Sequence, residues 1–123
     1  MLEVLVESLS KGINMIDTCT LFRYGKSEKV INAALNYLVK EQSFRRDEFF
    51  IATKCGYIPQ DVDSNLDDKK MIEILKDNKY VTDEDIVEGI HCVHPNFIQF
   101  SIEKSRLSLG LETIDLVYLN NFP

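Results

Sequence analysis

The chain has 123 residues, 45% of them hydrophobic and 28% charged, and carries a formal net charge of -6. That length supports one modest domain with a single core, and the acidic balance argues against unspecific nucleic-acid binding, which needs a basic surface. No apolar run nears the roughly 20 residues that cross a bilayer, and MLEVLVESLS, with two acids and no early basic residue, is unlike a secretory or transit peptide.

Leu2, Leu5, Val6 and Leu9 recur at helical spacing, and Gly12 supplies a stop. Ile13 to Ile16 reads as a short buried strand ending at Asp17. Ser27 is expected to cap a helix whose inner face is Val30, Ile31, Ala34, Leu35 and Leu38. The charged segment EQSFRRDE separates it from a second buried strand, Phe49 to Thr53, which ends at Lys54. A mostly polar excursion follows, from Gly56 to Gly89, with one helical piece at Lys69 to Lys76 and an acidic turn, TDEDIVEG. So long an excursion marks a functional loop or an insertion. Pro95 opens a further helix with Ile98, Ile102 and Leu109 on one face and Gly110 as its stop. A last strand spans Ile114 to Leu119, and Asn120, Asn121, Phe122 and Pro123 follow it.

Helices alternating with continuous apolar strands predict an α/β chain with a parallel sheet. Three strands leave two open edges, so the sheet is expected to need further strands. Three cysteines, Cys19, Cys55 and Cys92, cannot all pair with one another, which favours free thiols in a reducing, intracellular compartment, the cytoplasm being the natural one.

The strand ends NMIDT, IATK and VYLNN, with YGKSEKVINAAL, RDEFFIATKCGY and SIEKSRLSLGLETIDLVYL in that order, resemble the aldo-keto reductases over nearly the whole chain. GYIPQD and GIHCVHP further resemble the branch with a long loop after the third strand. The resemblance implies a partial (β/α)8 barrel, from the first helix to the fourth strand, as one domain over residues 1–123 with an insertion at about 56–94. Full members transfer a hydride from NADPH to an aldehyde or ketone at the carboxyl ends of the strands. A tyrosine there protonates the carbonyl oxygen, a lysine lowers its pKa, an aspartate holds the lysine and a histidine orients the carbonyl. The resemblance also places most of the cofactor grip, including the phosphates, in the other half of the barrel, so this chain alone is not expected to bind NADPH.

Carried over residue by residue, Asp17 and Lys54 match the aspartate and lysine. The tyrosine position, five residues after the aspartate, is Phe22, and the histidine position is Asn120. Phenylalanine has no proton to donate, and asparagine can hydrogen-bond a carbonyl but cannot titrate near neutral pH. Tyr24 is an alternative donor, displaced by two residues, which moves a hydroxyl several ångströms while general acid catalysis needs hydrogen-bond reach. Asp17, Lys54 and Asn120 are the residues expected near a nicotinamide. Asp17 with Lys54 reads either as a surviving catalytic pair or as an inherited ion pair that now serves structure.

Three other patterns carry a bland and a sharp reading. Gly25-Lys26-Ser27 lacks the glycine five residues earlier that a phosphate-binding loop requires, since Thr20 stands there. His91, Cys92 and His94 match no structural zinc spacing, so no metal is expected. Cys19 and Cys55 follow strand ends and read as small packing residues, or as reactive thiols. The expectation is a degenerate, truncated aldo-keto reductase kept as a structural or interaction subunit, bound to other chains or to a completing half-barrel. The alternative is an NADPH-dependent carbonyl reductase active once the barrel is completed.

Overall fold

The computed structural model describes residues 1–120; Asn121, Phe122 and Pro123, which follow the last expected strand, lie outside the described residues. Helix α1 (Leu2–Ser10) buries Leu9 and ends where Gly12, at φ 113°, lets the chain turn toward β1 (Met15–Asp17). Helix α2 (Lys26–Glu41) returns along the sheet, and β2 (Phe50–Cys55) follows it. Then come α3 (Asp68–Asp77), α4 (Pro95–Leu109) and β3 (Leu116–Leu119).

The three strands form one parallel sheet in the order β1-β2-β3. Its register places Met15 beside Phe50, Ala52 between Asp17 and Leu116, and Lys54 beside Tyr118. Because side chains alternate along a strand, these residues share one face. Ile16, Ile51, Thr53 and Val117 share the other, against the helices. The architecture is thus α/β, with parallel strands and helices.

The main core lies between the sheet and its helices: Leu9, Ile16, Ile31, Leu35, Leu38, Phe49, Ile51, Leu109 and Leu111. Burying a leucine fully, as at Leu38, contributes about 1.5–3 kcal/mol. Arg46 ties the lower ends of β2 and β3 together, donating to Asp115 Oδ2 at 2.6 Å, to Thr113 O and to Phe49 O. The same Asp115 oxygen accepts from the Ile51 amide at 2.8 Å.

The excursion after β2 is not loose. Ile58, Met71, Leu75, Val81, Cys92 and Phe97 form a second apolar cluster that packs it on α4. Asp67 caps α3 by accepting from the Lys70 amide at 2.8 Å, and His94 Nδ1 accepts from the Asn96 amide to cap α4.

Four local expectations are corrected. Ser27 is inside α2 and does not cap it; Gly25, left-handed at φ 87°, holds the cap position, and the Ser27 hydroxyl is paired with Thr18 Oγ1 at 3.0 Å. The buried face of α4 is Phe97, Ser101, Ser105 and Leu109, so Ile98 and Ile102 lie to its side, half-buried. Val30 is half-buried, and buried Glu28 stands on the inner face of α2. The strands start one to two residues later than the apolar runs, because a run continues into the turn that feeds a strand whereas pairing does not.

Candidate active site

Asp17 ends β1 and Lys54 stands one residue before the end of β2, both on the sheet face away from the helices. Lys54 Nζ donates to Asp17 Oδ1 at 2.7 Å and to Thr18 O at 2.9 Å. The lysine side chain is 20% exposed and the aspartate 54%, so the ammonium sits largely inside while the carboxylate meets solvent. Opposite charge and two acceptors lower the cost of holding the ammonium there.

Beneath this pair the strands are locked by polar contacts that pattern reading missed. Glu28 is buried at 2% exposure and its Oε1 accepts from Thr53 Oγ1 at 2.7 Å, joining α2 to β2 beside Lys54. The signal was present: Glu28, Ile31, Leu35 and Leu38 fall at spacings of three and four, so the acid stands on the apolar stripe. Thr18 and Ser27 make a second such link, from the end of β1 to α2.

Phe22 fills the space above the lysine. Its ring centroid is 5.3 Å from Lys54 Nζ, within the range at which an ammonium is attracted to an aromatic face. The turn that delivers it has three successive left-handed residues, Arg23 and Tyr24 at φ 54° and Gly25 at φ 87°. The Phe22 amide donates to Cys19 O at 3.2 Å, and the Ser27 amide donates to Phe22 O at 3.3 Å.

Tyr24 points elsewhere. It is 63% exposed and lines a shallow hollow with Gln60, Val62, Asn65, Leu66 and Asp67. Among the described residues its phenol makes no hydrogen bond to Lys54, whose recorded acceptors are Asp17 and Thr18.

Asn120 extends the ladder past β3, its amide donating to Cys55 O at 2.7 Å. Its carboxamide donates to Cys19 Sγ at 3.6 Å. Its carbonyl accepts from His91 Nε2 at 2.9 Å, which places the imidazole proton on Nε2. His91 also meets the Tyr57 ring edge-on, centroids 4.9 Å apart. The loop histidine therefore holds the backbone of the residue that stands at the resemblance's histidine position; spacing along the chain carries no signal of this contact.

The other candidates divide. Cys19, Cys55 and Cys92 are free and buried, and burial pushes the Cys55 and Cys92 thiols above their ordinary range, which disfavours a reactive thiolate. Among the described residues no three His, Cys, Asp or Glu side chains converge as a metal-ligand group, and no helix is long and apolar enough to cross a membrane.

Chemically, the site offers an ammonium, a solvent-facing carboxylate and a carboxamide at the ends of adjacent strands. That donor and acceptor set fits the polar end of a nicotinamide nucleotide. Beside the lysine stands a ring with no exchangeable proton.

The sequence model of the Aldo/keto reductase family matches residues 1–123. D-threo-aldose 1-dehydrogenase from a Pseudomonas species is 32% identical over 122 residues, covering 96% of this chain and 32% of its own length. An aldo-keto reductase crystallised with NADPH has a TM-score of 0.57 at 19% identity, over 96% of this chain and 25% of that one. The chain thus spans about a third of the length of the curated relative it matches.

Proposed function

This chain belongs to the aldo/keto reductase family, and we propose that it is a non-reducing segment of a reductase-type barrel, serving as a structural and interaction-bearing part of a larger assembly. The observation that carries this reading is the Phe22 ring over Lys54 Nζ at 5.3 Å. A nicotinamide nucleotide, when bound in such a barrel, supplies a hydride. Reduction of a carbonyl also needs a proton at its oxygen, delivered within hydrogen-bond reach. Lys54 can orient a donor, but among the described residues its ammonium hydrogen-bonds only to Asp17 and Thr18: Tyr118, its neighbour in the sheet, makes no hydrogen bond to it, and Tyr24 is turned into a separate hollow.

Interaction follows from the sheet. Met15, Phe50 and Tyr118 leave 51%, 43% and 45% of their surface exposed on one face of three strands, an apolar area that further strands would cover. Those strands come from another chain or a completing half-barrel. An intracellular, cytoplasmic location belongs to the same reading, in keeping with three free, buried thiols.

One observation favours a second reading: the Lys54–Asp17 pair is intact at 2.7 Å. In a completed barrel it can serve an NADPH-dependent carbonyl reductase whose proton comes from Tyr24 or from water. Nucleotide fluorescence for NADPH binding, together with NADPH oxidation in the presence of 4-nitrobenzaldehyde, separates the readings in the native assembly. The proposal expects no aldehyde-dependent oxidation above that of Lys54→Met. Oxidation abolished by Lys54→Met establishes the reductase instead, and binding without oxidation replaces the structural role by a nicotinamide-sensing one.

A further inference from the structure

Two features of the turn that carries Phe22 belong together. The first is its conformation. A side chain in the left-handed region is strained by its Cβ, yet Arg23 and Tyr24 both occupy it in succession. Such a turn does not hold itself; it persists only where its surroundings over-determine it.

The second is what lies against it. After Gln60 the excursion forms a small hairpin, with Asp61 and Leu66 exchanging two backbone hydrogen bonds of 2.8 Å. The hairpin touches the turn directly: the Val62 amide donates to Tyr24 O at 3.3 Å. A Cβ on Gly25 would stand 2.7 Å from Gln60 O, so the backbones meet more closely there than any other residue permits. Charge then clamps the hairpin to the helices. Lys29 Nζ donates to Asp61 Oδ1 and to Asp63 Oδ2, each at 3.0 Å. Lys26 reaches Asp63 at 3.5 Å, and Lys104, from α4, reaches Asp61 at 3.6 Å. Two carboxylates on the hairpin thus face three ammonium groups on α2 and α4. Asp61 is 11% exposed, so this is no freely solvated surface pair, and its Oδ1 also accepts from the Asp63 and Ser64 amides.

We propose that the hairpin from Gln60 to Leu66 is an ionic strap that holds the strained turn closed and so fixes Phe22 over Lys54. Released from the strap, Arg23 and Tyr24 relax toward right-handed conformations and Phe22 leaves the lysine, opening the strand ends. Asp61 is the positioning residue: it contacts neither Lys54 nor Phe22 and acts through Lys29 and the hairpin. The strap goes beyond the functional reading above and does not depend on it, because it is read in backbone exchange and not in turnover.

Hydrogen–deuterium exchange of the native assembly, followed on a peptide covering residues 19–27, tests the strap. Asp61→Asn keeps the oxygen that accepts from the Asp63 and Ser64 amides and removes the charge. It is expected to speed exchange in that peptide by about tenfold, equivalent to roughly 1.4 kcal/mol, with α1 unchanged. Lys76→Met, which removes the exposed pair with Asp83, is expected to leave the peptide unaffected. If Asp61→Asn does not fold, Lys29→Met, which removes the ammonium shared by both hairpin carboxylates, is expected to speed exchange over 19–27 selectively. Unchanged exchange over 19–27 in folded Asp61→Asn, or in folded Lys29→Met, overturns the proposal.

Discussion

Arg23 and Tyr24 stand where the backbone would favour glycine. A left-handed residue with a Cβ costs about 1–2 kcal/mol, offset in part by the freedom that glycine adds to the unfolded chain. Tyr24→Gly is therefore expected to raise stability by about 1 kcal/mol, read as a higher denaturation midpoint in urea; a lower midpoint would show that Tyr24 packing outweighs its strain. At this scale the sequence was informative where spacing is counted from a strand end. Asp17 and Lys54, each counted to a strand end, pair at 2.7 Å, and the Phe22 ring lies 5.3 Å from the lysine. It was uninformative where a partner comes from a distant segment. Ser27 looked like a cap because a hydroxyl before a helical run usually is one; its actual partner, Thr18, lies across the turn. His91 against Asn120 is a contact across 29 positions that no local pattern encodes.

Among the elements, α4 shows how a correct boundary can accompany a wrong face. Pro95 and Gly110 mark its ends as proline at the first turn and a left-handed glycine cap usually do. Its buried face, however, includes Ser101 and Ser105, at 0% and 1% exposure. Small side chains let a helix lie close to a sheet, and a hydropathy pattern reads them as polar. Ser101 Oγ is the one buried side-chain polar atom without a hydrogen bond among the described residues. Leaving a buried hydroxyl unpaired costs about 1–3 kcal/mol, so Ser101→Ala is expected to stabilise the protein by about 1 kcal/mol in the same urea measurement. A destabilised Ser101→Ala would mean that the hydroxyl has a partner in the assembly. The excursion after β2 likewise read as polar loop, since Ile58, Met71, Leu75 and Val81 are too far apart in sequence to declare one cluster.

For the molecule as a whole, the parallel α/β arrangement was legible because buried strands and amphipathic helices alternate. How the sheet's open face is covered was not, since that depends on strands outside the described residues. The whole fold also shares a response to acid. Burial alone would raise the carboxyls of Asp61 and Asp115, but hydrogen bonds and charge from Lys29 and Arg46, with backbone amides, outweigh it and hold both below the ordinary range. The Lys29 hydrogen bond lowers Asp63, and the Thr82 amide lowers Asp85. A carboxyl lowered in the folded state contributes stability that is present above its unfolded value, 3.8, and is lost as pH falls through the folded one. Stability should therefore hold from neutral pH to about 4 and fall below it. Asp115→Asn should flatten that acid limb; an unchanged limb would remove Asp115 as a contributor.

On the proposed reading, Phe22 stands where the family's proton donor belongs and leaves this chain unable to reduce a carbonyl. The most direct measurement of this is aldehyde-dependent NADPH oxidation by the native assembly, comparing the natural chain with Lys54→Met and with the pair Phe22→Tyr and Asn120→His. The natural chain and Lys54→Met are expected to be indistinguishable at background, with any activity appearing only in the restored pair. Aldehyde reduction by the natural chain that disappears in Lys54→Met would contradict that reading.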